Sequence, residues 1–81
     1  DLAATERDAT VRSRLAQLTP REREVADRVA HGQSNRTIGE ALGISAKTVQ
    51  VHRQHVLEKM EAHSAAELAA IVLPLQRPPQ R

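Results

Sequence analysis

Ser34-Asn35-Arg36-Thr37-Ile38-Gly39-Glu40-Ala41-Leu42-Gly43-Ile44-Ser45-Ala46-Lys47-Thr48 is the stretch that decides how this chain folds. It holds two helix starts on either side of a short turn at Gly43. Each start has a serine at the N-cap, whose oxygen can accept from an orphan amide of the first turn. Neither has the acid that would offset the positive end of the helix dipole; Arg36 and Lys47 stand in the first turns instead. The two remaining helix starts differ. Thr19-Pro20-Arg21-Glu22 and Ser64-Ala65-Ala66-Glu67 read as capping boxes, with a hydroxyl at the cap and a glutamate three residues on. Free amides, a hydroxyl and a cation at an uncompensated helix N-terminus form a site for an anion, most often phosphate. Two such starts on consecutive helices outline a helix-turn-helix seated on a DNA backbone.

Outward from this stretch the pattern is helical throughout, and no strand signal interrupts it. Residues 1–18 read as a linker helix, with Ala4, Val11, Leu15 and Leu18 on one narrow stripe. Pro20 sits at the first position of the next helix, where its missing N–H costs nothing. Val25, Ala26, Val29 and Ala30 form that helix's buried face, and Gly32 stops it. Ile38, Ala41 and Leu42 are expected to point inward from the short helix after Ser34, with Ile44 filling the turn. The helix from Ala46 to about Met60 has Val49, His52, Val56 and Met60 on one face. Leu68, Ile71 and Val72 give the last helix its apolar side. Pro74, Pro78 and Pro79 are expected to end regular structure, leaving 74–81 as a Pro-rich disordered tail. The fold class is all-α: a four-helix helix-turn-helix bundle over 19–73, preceded by the linker helix.

Composition narrows the function by exclusion. The 81 residues allow one small domain with a thin core, built without Phe, Tyr or Trp. Lack of aromatics argues against a single-strand nucleic-acid binder, which needs platforms for unpaired bases. No Cys means no disulfide and no thiolate zinc site, which fits a cytoplasmic protein. No apolar run approaches a membrane span, so no membrane partner is expected. The net charge of +2 permits nucleic acid without demanding it. Asp1 in place of an initiator Met reads as a piece of a longer protein.

The second face of the Ala46–Met60 helix carries Lys47, Gln50, Val51 and Gln54, polar side chains around one small apolar residue. Such a stripe can reach base edges and a thymine methyl, and a glutamine amide can pair bidentately with adenine. It continues to Glu58, an acid that repels phosphate, so contact should be confined to the first two turns. A solvated amphipathic face would show the same periodicity; the acid-free N-termini favour DNA. His52 and His55 have a spacing that could hold a metal, but no Cys or facing acid completes the set, and a hydrogen-bonding role is the simpler one. The cluster Arg21-Glu22-Arg23-Glu24 reads as a solvated helix start. No nucleophile with a base and an orienting acid can be assembled, so neither enzymatic activity nor a cofactor is expected.

The ordered string Leu18-Thr19-Pro20-Arg21-Glu22-Arg23-Glu24-Val25, Gly32-Gln33-Ser34-Asn35-Arg36, Ile38, Leu42-Gly43-Ile44-Ser45, Thr48-Val49, Val51-His52-Arg53 and Glu58-Lys59-Met60 resembles the LuxR/NarL/FixJ DNA-binding domain. Ala62-His63-Ser64-Ala65-Ala66-Glu67-Leu68 looks most like its FixJ-type response-regulator branch. The resemblance spans about residues 18–73. It implies a domain of four helices whose third enters the major groove and whose fourth supports dimerisation on DNA. Carried over by position, Lys47, Gln50, Val51 and Gln54 read bases, while Ser34, Asn35, Arg36, Ser45, Thr48 and Arg53 meet the backbone. The fourth helix is small and apolar at Ala66, Ala69 and Ala70, which makes them the expected dimer interface. The implied partners are double-stranded DNA, a second copy of the chain on that DNA, a receiver domain in the same full-length chain, and RNA polymerase. Gln50 stands where the family is often basic, Thr37 where it commonly has Glu, Gly39 where it commonly has Ala, and Ala65 where it frequently has Arg. Gly39 should weaken its helix by about 1 kcal/mol relative to Ala. Other readings stay open: a quorum-sensing LuxR-type regulator, a sigma-factor helix-turn-helix, or a helical dimerisation module that binds protein and not DNA.

Overall fold

A computed structural model describes residues 2–76, the side chain of Ala4 excepted, and contains five helices and no strand among them. They are α1 (Leu2–Ala16), α2 (Pro20–Ala30), α3 (Asn35–Leu42), α4 (Ala46–Met60) and α5 (Ala65–Gln76). The all-helical expectation holds.

Local chemistry sets most of the boundaries. Thr19 and Glu22 close the capping box at α2: the Glu22 amide donates to Thr19 Oγ1 at 3.1 Å and the Thr19 amide to Glu22 Oε1 at 3.0 Å. At the other end Gly32 takes φ 83°, which lets its amide and that of Gln33 fold back onto the carbonyls of Val29 and Arg28. His31 adds its ring Nδ1, 2.7 Å from the Asp27 carbonyl oxygen. Gly43 ends α3 at φ 72° in the same left-handed region.

α2 packs against α4 and α5, α3 against α4, and α1 lies across α4 and α5. Val25, Val29, Ile38, Val49, Val56, Met60 and Leu68 are sealed from solvent, with Leu18 and Val72 at the edges of the same cluster. α4 thus lends one side to the middle of the core and leaves the other to solvent. α1 is docked: Val11 and Leu15 pack on the core, and Arg14 Nη2 meets Glu61 Oε2 at 3.0 Å.

Three details depart from the sequence reading. Ala41 is exposed, and the residue buried beside Ile38 is Gly39. A Cβ at Gly39 would lie 2.6 Å from the Ile44 carbonyl oxygen, so the missing side chain is what lets α3 approach the turn. At α5 only half a box forms. The Glu67 amide donates to Ser64 Oγ at 3.1 Å, but the Glu67 carboxylate turns to His63 Nδ1 at 3.1 Å. Pro74 does not end α5, which continues to Gln76. The lost amide of Pro74 is outweighed by contacts made in the next two residues: Leu75 is half-buried and Gln76 Nε2 donates to Asp27 Oδ1 at 2.7 Å. The remainder of the expected tail, 77–81, lies outside the described residues.

Candidate nucleic-acid interface

Side-chain caps with acid-free first turns occur together at α3 and α4. Ser34 Oγ accepts from the Thr37 amide at 3.1 Å, and Ser45 Oγ from the Thr48 amide at 3.0 Å. In both, the residue three past the cap is a threonine where a box would put glutamate. Its hydroxyl pairs with the cap serine, at 3.0 Å for Ser34–Thr37 and 2.9 Å for Ser45–Thr48. Helix geometry leaves the first amides of each turn, those of Asn35 and Arg36 and of Ala46 and Lys47, without an intrahelical acceptor. Each N-terminus therefore combines amides, hydroxyls and the dipole's positive end with no carboxylate inside its own first turn.

Between them runs the outward face of α4. Lys47, Gln50, Val51 and Gln54 are all exposed, as the sequence spacing requires. Val51 is one of only two large apolar side chains conspicuously open to solvent among the described residues, 49% exposed; Leu2 is the other. Glu58, one turn beyond Gln54, is also exposed, so the face becomes acidic there. Of the cations, Lys47 is exposed and Arg36 reaches along its own helix to Glu40, Nε to Oε1 3.2 Å. That pair is open to water and holds Arg36 only weakly.

Arg53, Asn35 and Gln50 are joined in a way their spacing does not announce. Arg53 Nη1 donates to Asn35 Oδ1 at 3.3 Å, and Asn35 Nδ2 donates to Gln50 Oε1 at 2.7 Å. Residues assigned separately to backbone and base thus form one hydrogen-bonded chain from α4 through α3 and back. Arg53 is half-buried and partly committed, not a free cation.

A second arrangement missed from the sequence lies behind the interface. Glu22 is no solvated helix residue: it is 5% exposed. Its Oε1 takes both the Thr19 amide and Lys59 Nζ, the latter at 2.7 Å, while Oε2 faces His55 Nδ1 at 3.6 Å. The Lys59 hydrogen bond, then the Thr19 amide, hold its carboxyl below the usual glutamate range, against the opposing effect of burial. The pair ties the start of α2 to the last turns of α4. Only the burial of Glu22, invisible in a run of alternating charges, would have exposed it.

His52 is half-buried on the inner side of α4, and His55 turns toward Glu22, so the two do not converge on a common point. No group of three potential metal ligands occurs among the described residues. On α5, Ala66 and Ala70 are exposed, whereas Ala69 packs partly against the core. Ala70 borders a cleft shared with Val11 of α1 and with Ile71 and Pro74.

Comparison with known proteins finds relatives of this chain in sequence and in fold. Residues 16–72 match the family described as bacterial regulatory proteins, luxR family. The tetrathionate response regulatory protein TtrR of Salmonella typhimurium is 60% identical over 52 residues, covering 64% of this chain and 25% of that protein. The transcriptional regulatory protein FixJ of Azorhizobium caulinodans is 44% identical over 63 residues, 78% of this chain and 30% of that one. A crystal structure of full-length FixJ from B. japonicum superposes with a TM-score of 0.75 at 36% identity, over 86% of this chain and 36% of its own. The chain spans 25% and 30% of the two curated relatives.

Proposed function

This chain belongs to the luxR family of bacterial regulatory proteins, a family of DNA-binding helix-turn-helix regulators and not of enzymes, and we propose that it is the effector domain of a two-component response regulator. In this reading it binds double-stranded DNA sequence-specifically and regulates transcription as a dimer in the cytoplasm. α4 enters the major groove. Lys47, Gln50, Val51 and Gln54 face base edges, with Val51 suited to a thymine methyl. Ser34, Arg36, Ser45 and Thr48 grip phosphates from the two helix starts, with Asn35 and Arg53 beside them. Arg53 does so with the guanidinium donors left over from Asn35.

The observation that carries this reading is the pair of serine-capped, acid-free helix N-termini flanking one exposed polar stripe. A protein-docking surface would not need two anion sites there, which disfavours a dimerisation module without DNA. The response-regulator assignment draws on the relatives' names, and it brings a receiver domain in the full-length chain and RNA polymerase as further partners. α1, docked on α4 and α5, is the element through which a receiver would act.

Exposed Ala66 and Ala70 are the better candidates for the dimer surface, Ala69 contributing from their flank. Two copies would set their α4 helices on half-sites about one helical turn apart. The test is selection of bound sites from random duplexes, followed by binding to the selected site and to random DNA over a range of salt. Specific binding should exceed random binding by at least about a thousandfold, with log K falling linearly against log salt. Equal affinity for both DNAs, or none, refutes the proposal.

A further inference from the structure

We propose that Asn35 is a positioning residue that turns the amino end of the Gln50 amide toward the DNA, making Gln50 a donor that prefers guanine. This rests on α4 being the groove-facing helix and adds which base edge one of its side chains can read.

Hydrogen-bond polarity sets the direction of each amide. Arg53 is a donor only; it has no acceptor atom to offer. Its Nη1 donates to Asn35 Oδ1 at 3.3 Å, so the carbonyl end of the Asn35 amide must face Arg53 and the amino end must face away. That amino end donates to Gln50 Oε1 at 2.7 Å. Turning Asn35 over would set its NH2 against the guanidinium. Turning Gln50 over would set NH2 against NH2. Either reversal replaces a hydrogen bond by two opposed donors, so the polarity fixed by Arg53 runs the length of the chain. What emerges at its exposed end is Gln50 Nε2, a pair of N–H donors.

The anchor is firmer than the tip, since Arg53 and Asn35 are half-buried and Gln50 is exposed. A glutamine held this way gives up less side-chain freedom on binding than one free in solvent. It also gives up its usual partner. Bidentate pairing with adenine needs the glutamine oxygen on N6–H2 and its amino group on N7. Here the oxygen is turned toward α3, which leaves the amino group alone to choose among edges. Guanine offers two acceptors, N7 and O6; adenine and thymine offer one each, and cytosine presents a donor. The order expected at the Gln50 position is guanine first and cytosine last. This differs from the adenine preference that a glutamine in isolation would have.

The experiment is selection and quantitative binding with the 81-residue chain and three variants, each checked for its helical spectrum. Gln50→Ala identifies the operator position that depends on Gln50. At that position the unaltered chain should favour guanine over cytosine on the order of tenfold. Asn35→Asp offers only acceptors, so Gln50 must donate to it and show its oxygen outward. The order should then invert toward the donor edges of adenine and cytosine, while the added negative charge weakens binding to every duplex. Asn35→Ala releases the amide without new charge, and the base preference should shrink to roughly twofold or recover adenine. A residue that merely touches phosphate would weaken all duplexes and leave the order of bases untouched. If both Asn35 variants keep the order of the unaltered chain, the positioning role is refuted while the DNA-binding reading stands. If the unaltered chain prefers no duplex at all, that reading fails, and this inference with it.

Discussion

Replacing Glu22 tests the one buried charge among the described residues. Its side chain is 6% exposed, and its carboxylate accepts twice at Oε1, from the Thr19 amide at 3.0 Å and Lys59 Nζ at 2.7 Å. Glu22→Gln keeps an oxygen for Thr19 but loses the charge that strengthens the Lys59 bond. The side chain of Lys59 is 38% exposed, so its ammonium can turn to water and is not stranded. The loss is then the difference between a charge-assisted and a neutral hydrogen bond, about 1 kcal/mol after screening. Glu22→Ala also opens the capping box, which adds about 1 kcal/mol and more for the unpaired Thr19 amide, a total of about 2–3 kcal/mol. For a domain of this size that lowers Tm by roughly 10–20 °C.

The pH dependence gives the sharper check. The folded carboxyl titrates below its usual value of 4.5, because the Lys59 hydrogen bond and the Thr19 amide favour its charged form. The unfolded chain therefore binds this proton first as the pH falls. The stabilisation is fully present above that value and is lost as the pH drops through the lower folded pKa. Lys59 and His55 on α4, with the Thr19 amide, are the groups facing this carboxylate. Urea unfolding followed by circular dichroism, for the unaltered chain and Glu22→Gln, should show a difference near neutrality that shrinks in this acidic window. A double-mutant cycle with Lys59→Met should give a coupling of about 1 kcal/mol at neutral pH. A gap between the two proteins that persists unchanged into acid, or a cycle that is additive, would refute this account of Glu22.

Gly39→Ala should not yield the roughly 1 kcal/mol that helix propensity alone offers. The new Cβ meets the Ile44 carbonyl, and moving that turn costs about 1–3 kcal/mol, so thermal unfolding should show a net loss. Arg36→Ala should weaken selected and random duplexes alike and reduce the slope of log K against log salt by roughly one unit, since Arg36 is exposed beside an acid-free helix start; a change in base preference would contradict its role as a grip. Ala66→Glu alters an exposed residue of α5, so it should leave folding and half-site binding intact while lowering affinity for a two-site operator. The same substitution at Ala69 would confuse assembly with folding, because that side chain packs partly on the core.

The helix starts were legible because a cap and its box lie within four residues of each other. Thr19, Ser34 and Ser45 all cap the helices that the sequence assigned to them. The exposed stripe of α4 was legible for a related reason: once a helix is granted, 3.6 residues per turn fixes which side chains share a face. Those signals are short-range, and they decided the fold class, the family and the face turned outward. Pro74 marks where short-range reasoning fails, since Gln76 beyond it finds its partner on another helix.

What only the tertiary structure decided is how the faces are tied together. Glu22 and Lys59 are 37 residues apart, Asn35 and Gln50 15, and Asn35 and Arg53 18. Gly39 is needed for the approach of a turn that its own helix does not contain. The direction of the Gln50 amide, and whether Arg53 is free or shared, depend on the placement of α3 against α4. That placement follows from core packing around Ile38, Val49 and Val56, summed over many contacts, each too weak to leave a mark at any one position of the sequence.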